Sequence, residues 1–177
     1  MRWSDIDEFI ATQVRDKTFE CRKGCAWCCH QLIVVTHWDD GRQILRAARE
    51  RMTQEEFEAF TGELRKQARA ISELGHEAAE GRRWTCPLLK DGACAVYELR
   101  PVACRSVFSP DAATCRAMME AEDFNELTAV QQETATVIGE RAFDLQIAVN
   151  DQRRIDAPVE LRELLVRLLD DEDGRGN

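Results

Sequence analysis

Eight cysteines constrain this chain more than any other feature. They stand at positions 21, 25, 28, 29, 86, 94, 104 and 115 of 177 residues, and none follows Cys115. Cysteines used as small core hydrophobes would not respect such a boundary. Four crowd together as Cys21-x3-Cys25-x2-Cys28-Cys29, and four are spread over Cys86, Cys94, Cys104 and Cys115. Disulfides explain them poorly. The apolar content of 44% can supply a core without covalent staples, and Met1-Arg2-Trp3-Ser4-Asp5-Ile6-Asp7-Glu8 holds no apolar signal-peptide core. A cytoplasmic protein is expected, and in a reducing compartment clustered thiols read as metal ligands or redox groups.

Spacing narrows the chemistry. Positions i, i+4, i+7 and i+8 share one helical face, so a helical turn would aim the first four thiols one way. Gly24 favours a loop running into a helix, in which Cys25, Cys28 and Cys29 still converge. Neighbouring side chains diverge by about 100° on a helix and about 180° on a strand. One tetrahedral zinc, with Zn–S bonds of about 2.3 Å, is therefore hard for Cys28 and Cys29 to chelate together. The doublet points to a polynuclear centre or two nearby metals; the alternative is one buried structural cysteine beside one ligand. The wide gaps between Cys86, Cys94, Cys104 and Cys115 match no zinc ribbon, so folding is expected to bring both groups to one place.

Soft thiolates select zinc, Cu(I) or iron–sulfur clusters. Mononuclear zinc takes four ligands and a [4Fe–4S] cluster takes four cysteines. Eight serve two such sites, or one site plus redox or structural thiols. All eight cysteines are candidate metal ligands, with an iron–sulfur cluster, [4Fe–4S], favoured over Zn2+. His30 beside the doublet is read as a supporting or surface residue rather than a ligand, and His37 and His76 as non-ligands. Arg105 has two readings, a guanidinium that lowers the Cys104 thiol pKa and a plain salt bridge. Tyr97 and Arg100 are read as packing and hydrogen-bonding residues, and Trp27 and Trp84 as core or shielding residues near cysteines.

The rest of the chain reads as mostly α: a single helical domain over residues 1–170 with a loop-rich cysteine segment, room for one short strand pair, and a disordered tail at 171–177. Ser4 and Asp7 suggest a cap for a helix through Ile6, Phe9, Ile10 and Val14. Leu32-Ile33-Val34-Val35 fits a strand or a buried helical segment. Thr36 and Asp39 suggest a cap for a helix through Ile44, Leu45, Ala48 and Met52, with Gly41 a weakness in it. Thr53 and Glu56 form a stronger capping box before Phe57, Phe60, Leu64, Ala68, Ile71, Leu74 and Ala78, which share one helical face. Residues 80–116 carry Gly81, Pro87, Gly92, Pro101 and Pro110, so metal is the expected source of their order. A long helix is expected over Leu127 to Val149, and a last one from Pro158 with Leu161, Leu164, Leu165 and Leu168 inward. The Thr53 and Leu127 helices are expected to form the scaffold, packing their stripes together or against the last helix.

Net charge and hydropathy limit the partners. A formal charge of −9 argues against nucleic acid, and no apolar run approaches the ~20 residues of a membrane span. The expected partner is a metal ion or cluster, with no protein partner indicated. The sequence holds no GxSxG, HExxH or P-loop.

Cys21-x3-Cys25-x2-Cys28-Cys29, Cys86-Pro87-Leu88, Cys94-x2-Tyr97-x2-Arg100-Pro101-x2-Cys104-Arg105 and Cys115 together resemble the bacterial YkgJ-type cysteine-cluster family, of CxxCxxCC type. The likeness runs over residues 21–116. It implies zinc or iron chelation and no particular reaction. The chain departs from the family pattern in spacing Cys21 three residues from Cys25, where two are usual. Related segments occur in flagellin lysine N-methylases, which are much longer. Beside a metal-binding protein stand two other functional readings. One is a metal-dependent enzyme, an oxidoreductase or a methylase-like modifier; the other is an interaction module stapled by zinc.

Overall fold

In a computed structural model of the chain, the described residues are 3–15, 18–30, 33–80, 82–120, 142, 144–145 and 159–174. They are mostly helical, as the periodicity predicts, with two small antiparallel strand pairs rather than one. In chain order the elements are α1 (Trp3–Val14), a 3-10 turn (Trp27–His30), β1 (Val35–Thr36), α2 (Trp38–Arg51), α3 (Gln54–Leu74) and α4 (His76–Glu80). There follow β2 (Leu89–Lys90), β3 (Ala93–Cys94), a second 3-10 turn (Tyr97–Leu99), α5 (Val102–Arg105), α6 (Ala112–Glu120), β4 (Val159–Glu160) and α7 (Leu161–Glu172).

The scaffold is α2 and α3 packed on α7. α3 starts where the sequence places it. Thr53 Oγ1 accepts the Glu56 N–H, and the Glu56 carboxylate accepts the Thr53 N–H at 2.9 Å, so two orphan donors of the first turn are satisfied. Phe60, Leu64 and Ile71 are buried along one face. The expected continuous stripe breaks at Gly75, which takes φ +80 and ends α3; α4 restarts after it and buries Ala79, leaving Ala78 exposed. In α7, Leu161, Leu164, Leu165 and Leu168 are buried as their spacing predicts, and Leu169 is buried with them.

Four details correct the sequence reading. The cap of α2 is His37, not Thr36, and Thr36 instead donates its hydroxyl to Asp40 at 3.1 Å. Gly41 is the contact point of α2 with α7. A Cβ there would lie 2.8 Å from Leu164 Cδ2, so only glycine lets the two helices approach this closely. α1 begins at Trp3, one residue before the suggested Ser4 cap. It forms a second small core in which Ile6, Ile10, Val102 and Ala142 are buried and Leu145 packs alongside. Apart from Ala142, Asp144 and Leu145, the helix expected over Leu127 to Val149 lies outside the described residues; the last helix, expected from Pro158, instead starts at Leu161, because Val159 and Glu160 pair as β4.

The strand pairs tie the cysteine segments to this scaffold. β1 pairs antiparallel with β4, Val35 opposite Glu160 and Thr36 opposite Val159, and Leu161 N–H donates to Val34 O at 2.7 Å. β2 and β3 form a hairpin, Leu89 opposite Cys94 and Lys90 opposite Ala93. Its turn is Asp91-Gly92 with φ +49 and +74, the left-handed pair that a two-residue hairpin loop requires. Among the described residues, no helix is long and apolar enough to cross a membrane.

Candidate metal centre

The first cysteine group is a tight turn rather than a regular helix. Cys25 N–H donates to Arg22 O and Cys29 N–H to Ala26 O, each at 2.9 Å, and Gly24 supplies φ +94 between them. The 3-10 turn then carries Cys28 and Cys29. In the second group, Cys86 precedes the hairpin, Cys94 ends β3, Cys104 lies in α5 behind Pro101, and Cys115 lies in α6. A backbone bond joins the groups directly: Cys86 N–H donates to Cys29 O at 2.6 Å.

Cys25, Cys28, Cys29, Cys86, Cys94 and Cys104 line one cavity of about 50 Å³. Residues from both sequence groups therefore face one space. Cys21 and Cys115 are not in its walls. Cys21 Sγ accepts the Ser109 N–H at 3.1 Å, and α6, which carries Cys115, packs on the turn at Trp27–His30. All eight are free thiols, each partly accessible. Among the described residues, no three Cys, His, Asp or Glu side chains are already drawn together as a metal-holding group.

Burial dominates the thiol electrostatics. It pushes Cys86 from the usual 9.0 up to about 11, against the pull of the Leu88 N–H and the Arg162 charge. Burial also raises Cys104, helped by Cys86, Cys28 and Cys94, and raises Cys94 against the Val96 N–H and Arg100. Cys21 and Cys115 are raised by burial too. Cys28 goes the other way. The Cys29 thiol hydrogen-bonds it and Arg100 lies nearby, so Cys28 is the favoured thiolate, and the same bond holds the proton on Cys29.

The raised Cys86 value predicts a pH dependence for the metal-free protein. Below about pH 9 the thiol is protonated both folded and unfolded, and its contribution to stability is fully present. As pH rises through about 11 the folded state must ionise a buried thiol, and the contribution is lost. The urea midpoint of chelator-treated protein is expected to fall over this window, and Cys86→Ala to reduce the fall. A flat midpoint would contradict the burial of Cys86.

Two guanidinium groups also line the cavity, those of Arg100 and Arg162. Arg100 is stacked 3.8 Å over the Tyr97 ring, and its Nε donates to Tyr97 O at 2.9 Å; its charge acts on Cys28, Cys94 and Cys104. Arg105 follows the second of its two readings, a plain salt bridge, here with Asp7 of α1. Arg162 was missed, although Arg162, Leu165 and Leu169 are spaced three and four apart and so share the buried face of α7. His30 hydrogen-bonds Thr85 at 3.2 Å and stays out of the cavity wall. Trp84 donates to Ala79 O at 2.8 Å, and Trp27 lies under Arg116.

The donor set suits a soft metal. Among the described residues, six cysteines, two arginines and Tyr97 are the polar side chains in the cavity wall, and no carboxylate or imidazole lines it, which favours zinc, Cu(I) or iron–sulfur over hard cations. A family model, CxxCxxCC, described as "Putative zinc- or iron-chelating domain", matches residues 20–126. No curated protein and no solved structure matches the chain. The matched segment is more than half of the sequence and holds all eight cysteines, and the chain belongs to this CxxCxxCC family.

Proposed function

We propose that the clustered cysteines hold a thiolate-ligated metal centre, an iron–sulfur cluster in preference to zinc. The observation that carries the reading is the shared cavity, with six thiols from two distant stretches of sequence in its walls. One zinc uses four ligands, and six sulfurs exceed that. The adjacent pair Cys28 and Cys29 suits a centre with more than one metal atom, where each thiolate can take its own. Arg100 and Arg162 place positive charge against what becomes a dianionic or more negative centre once the thiols lose their protons. A cytoplasmic location fits ligands that must stay reduced.

Binding then displaces protons from thiols that burial keeps neutral, and draws the sulfurs inward onto the metal. A centre closed by thiolates on all sides suits electron transfer or a structural role, because it leaves no position open for a substrate. Anaerobic purification followed by elemental analysis and an absorption spectrum tests the proposal. A brown protein with iron and inorganic sulfide in equal amounts is expected. A colourless protein with stoichiometric zinc would replace the cluster by zinc, and a protein that takes up neither would overturn the proposal.

A further inference from the structure

Two guanidinium groups line the cysteine cavity, and their charges are held differently. Arg162 is balanced. It is 2% exposed, and it donates to the Glu160 carboxylate at 2.6 Å through Nη1 and to Gln67 Oε1 at 2.7 Å through Nε. A carboxylate that close cancels most of the field the guanidinium would cast into the cavity. Other charges around the cysteine segments are matched in the same way. Arg105 pairs with Asp7, and Glu98 takes Lys23 at 3.1 Å and Arg51 at 3.2 Å on the exposed surface, where water screens what remains.

Arg100 is held without a counter-ion. Its Nε donates to Tyr97 O at 2.9 Å, and its guanidinium lies 3.8 Å over the Tyr97 ring. Both contacts fix the plane of the group, and neither removes its charge, because a carbonyl and a ring face are neutral. Among the described residues no carboxylate lines the cavity. A half-buried cation with no counter-ion is costly to hold unless an anion comes to stand beside it. The six cysteines of the same wall supply that anion once metal displaces their protons. Arg100 also lies in the short stretch between Cys94 of β3 and Cys104 of α5, where Pro101 caps α5, so its backbone is tied to two cavity thiols.

We propose that Arg100, the uncompensated cation among the described residues of the cavity wall, raises the reduction potential of the thiolate centre. The inference rests on the iron–sulfur reading above and adds the residue that tunes the centre. A [4Fe–4S] cluster held by four thiolates is dianionic when oxidised and gains one more negative charge when a donor such as dithionite gives it an electron; the charge around it sets its potential. A fixed positive charge in the same wall stabilises the reduced form more than the oxidised one. Arg162, matched by Glu160, contributes far less. Arg100 is thus a positioning residue of charge rather than a ligand.

Reductive titration of the full chain with dithionite, after anaerobic purification and with the visible absorption followed against mediator dyes, tests it. Arg100→Gln is expected to lower the potential by about 59 mV, a tenfold shift of the one-electron equilibrium toward the oxidised form, and Arg100→Lys to stay near wild type. The sign separates charge from structure. A variant that merely loosened the cavity would admit water, which stabilises the more highly charged reduced form and raises the potential. A rise in Arg100→Gln, or a change of less than about twofold in the equilibrium, overturns the proposal and leaves the iron–sulfur centre standing. Equal falls in Arg100→Gln and Arg100→Lys overturn it too, since lysine keeps the charge. Where Arg100→Gln takes up no iron, Arg100→Lys decides: loading at a potential near wild type supports the proposal, and failure to load overturns it. A wild-type chain without iron–sulfur absorption overturns the centre itself, and this proposal with it.

Discussion

Stripping the metal is expected to release residues 20–30 and 84–116 together, while α2, α3 and α7 keep their protection. The buried apolar mass lies in those three helices, in Ile44, Leu45, Phe60, Leu64, Leu164 and Leu165. The cysteine segments add less: Leu88 and Val96 are buried in the main core, Cys86, Cys94, Leu99, Ala103 and Cys104 pack against its edge only partly buried, and Val102 joins the small core around Ile6. Their order depends on short pairings such as the two-residue strands β2 and β3 and the bond from Cys86 N–H to Cys29 O. Structural zinc in small domains binds with an apparent ~10–16 kcal/mol at neutral pH, far more than such pairings supply. A ligand held at about 100 times its Kd stabilises the state that binds it by about 2.7 kcal/mol, or about 100-fold in the opening equilibrium. Amide hydrogen exchange in residues 84–106 and 25–30 should therefore quicken by at least about 100-fold on metal removal. Exchange in α3 should change far less. Equal protection with and without metal would mean that packing, not coordination, orders the cysteine segments.

What the sequence made legible follows from how local each signal is. The capping box at Thr53 and Glu56 and the leucine stripe of α7 depend on contacts within a few residues, and both appear in the structure as read. Gly75 shows the limit of periodicity. The stripe from Phe57 to Ala78 runs through it without a break in spacing, yet the backbone there takes φ +80 and the helix restarts. The hairpin had a local signature, Asp91-Gly92, that lay unread among the helix breakers around it. Gly41 looked like a flaw in α2 because its reason lies in another element, the Leu164 side chain more than a hundred residues away. The same holds for the cavity. Sequence spacing suggested that the cysteine groups meet, but which thiols line the cavity goes with long-range contacts that no local pattern reveals, such as Cys86 N–H to Cys29 O and, for Cys21 outside the wall, Ser109 N–H to its sulfur. Of the two readings open for Arg105, the fold realises the salt bridge, turning it to Asp7, and it presents Arg100 and Arg162 at the cysteines, which their sequence neighbours did not signal.

Replacing Arg162 by Ala is expected to cost about 3–5 kcal/mol of stability, the range for breaking a buried ion pair from one side. Arg162 is 2% exposed, and so is its partner Glu160. The guanidinium donates to Glu160 at 2.6 Å through Nη1 and to Gln67 Oε1 at 2.7 Å through Nε. Gln67 passes the connection on, donating to Thr85 O at 2.8 Å, next to Cys86. One side chain thus links α7, α3 and the segment that delivers a cavity thiol. Glu160 carries a second duty as the cap of α7, accepting the Arg162 and Glu163 N–H groups. Those two bonds survive the substitution, so the stranded carboxylate keeps part of its solvation and α7 keeps its start. What is lost is the charge partner of a buried carboxylate and the donor that fixes Gln67. Glu160→Gln in the Arg162→Ala background should recover part of the loss by removing the orphan charge while retaining an oxygen for the cap. Urea unfolding of the metal-loaded protein measures both steps. A loss under about 1 kcal/mol for Arg162→Ala would show that water reaches Glu160 freely, and that the network does not anchor Cys86.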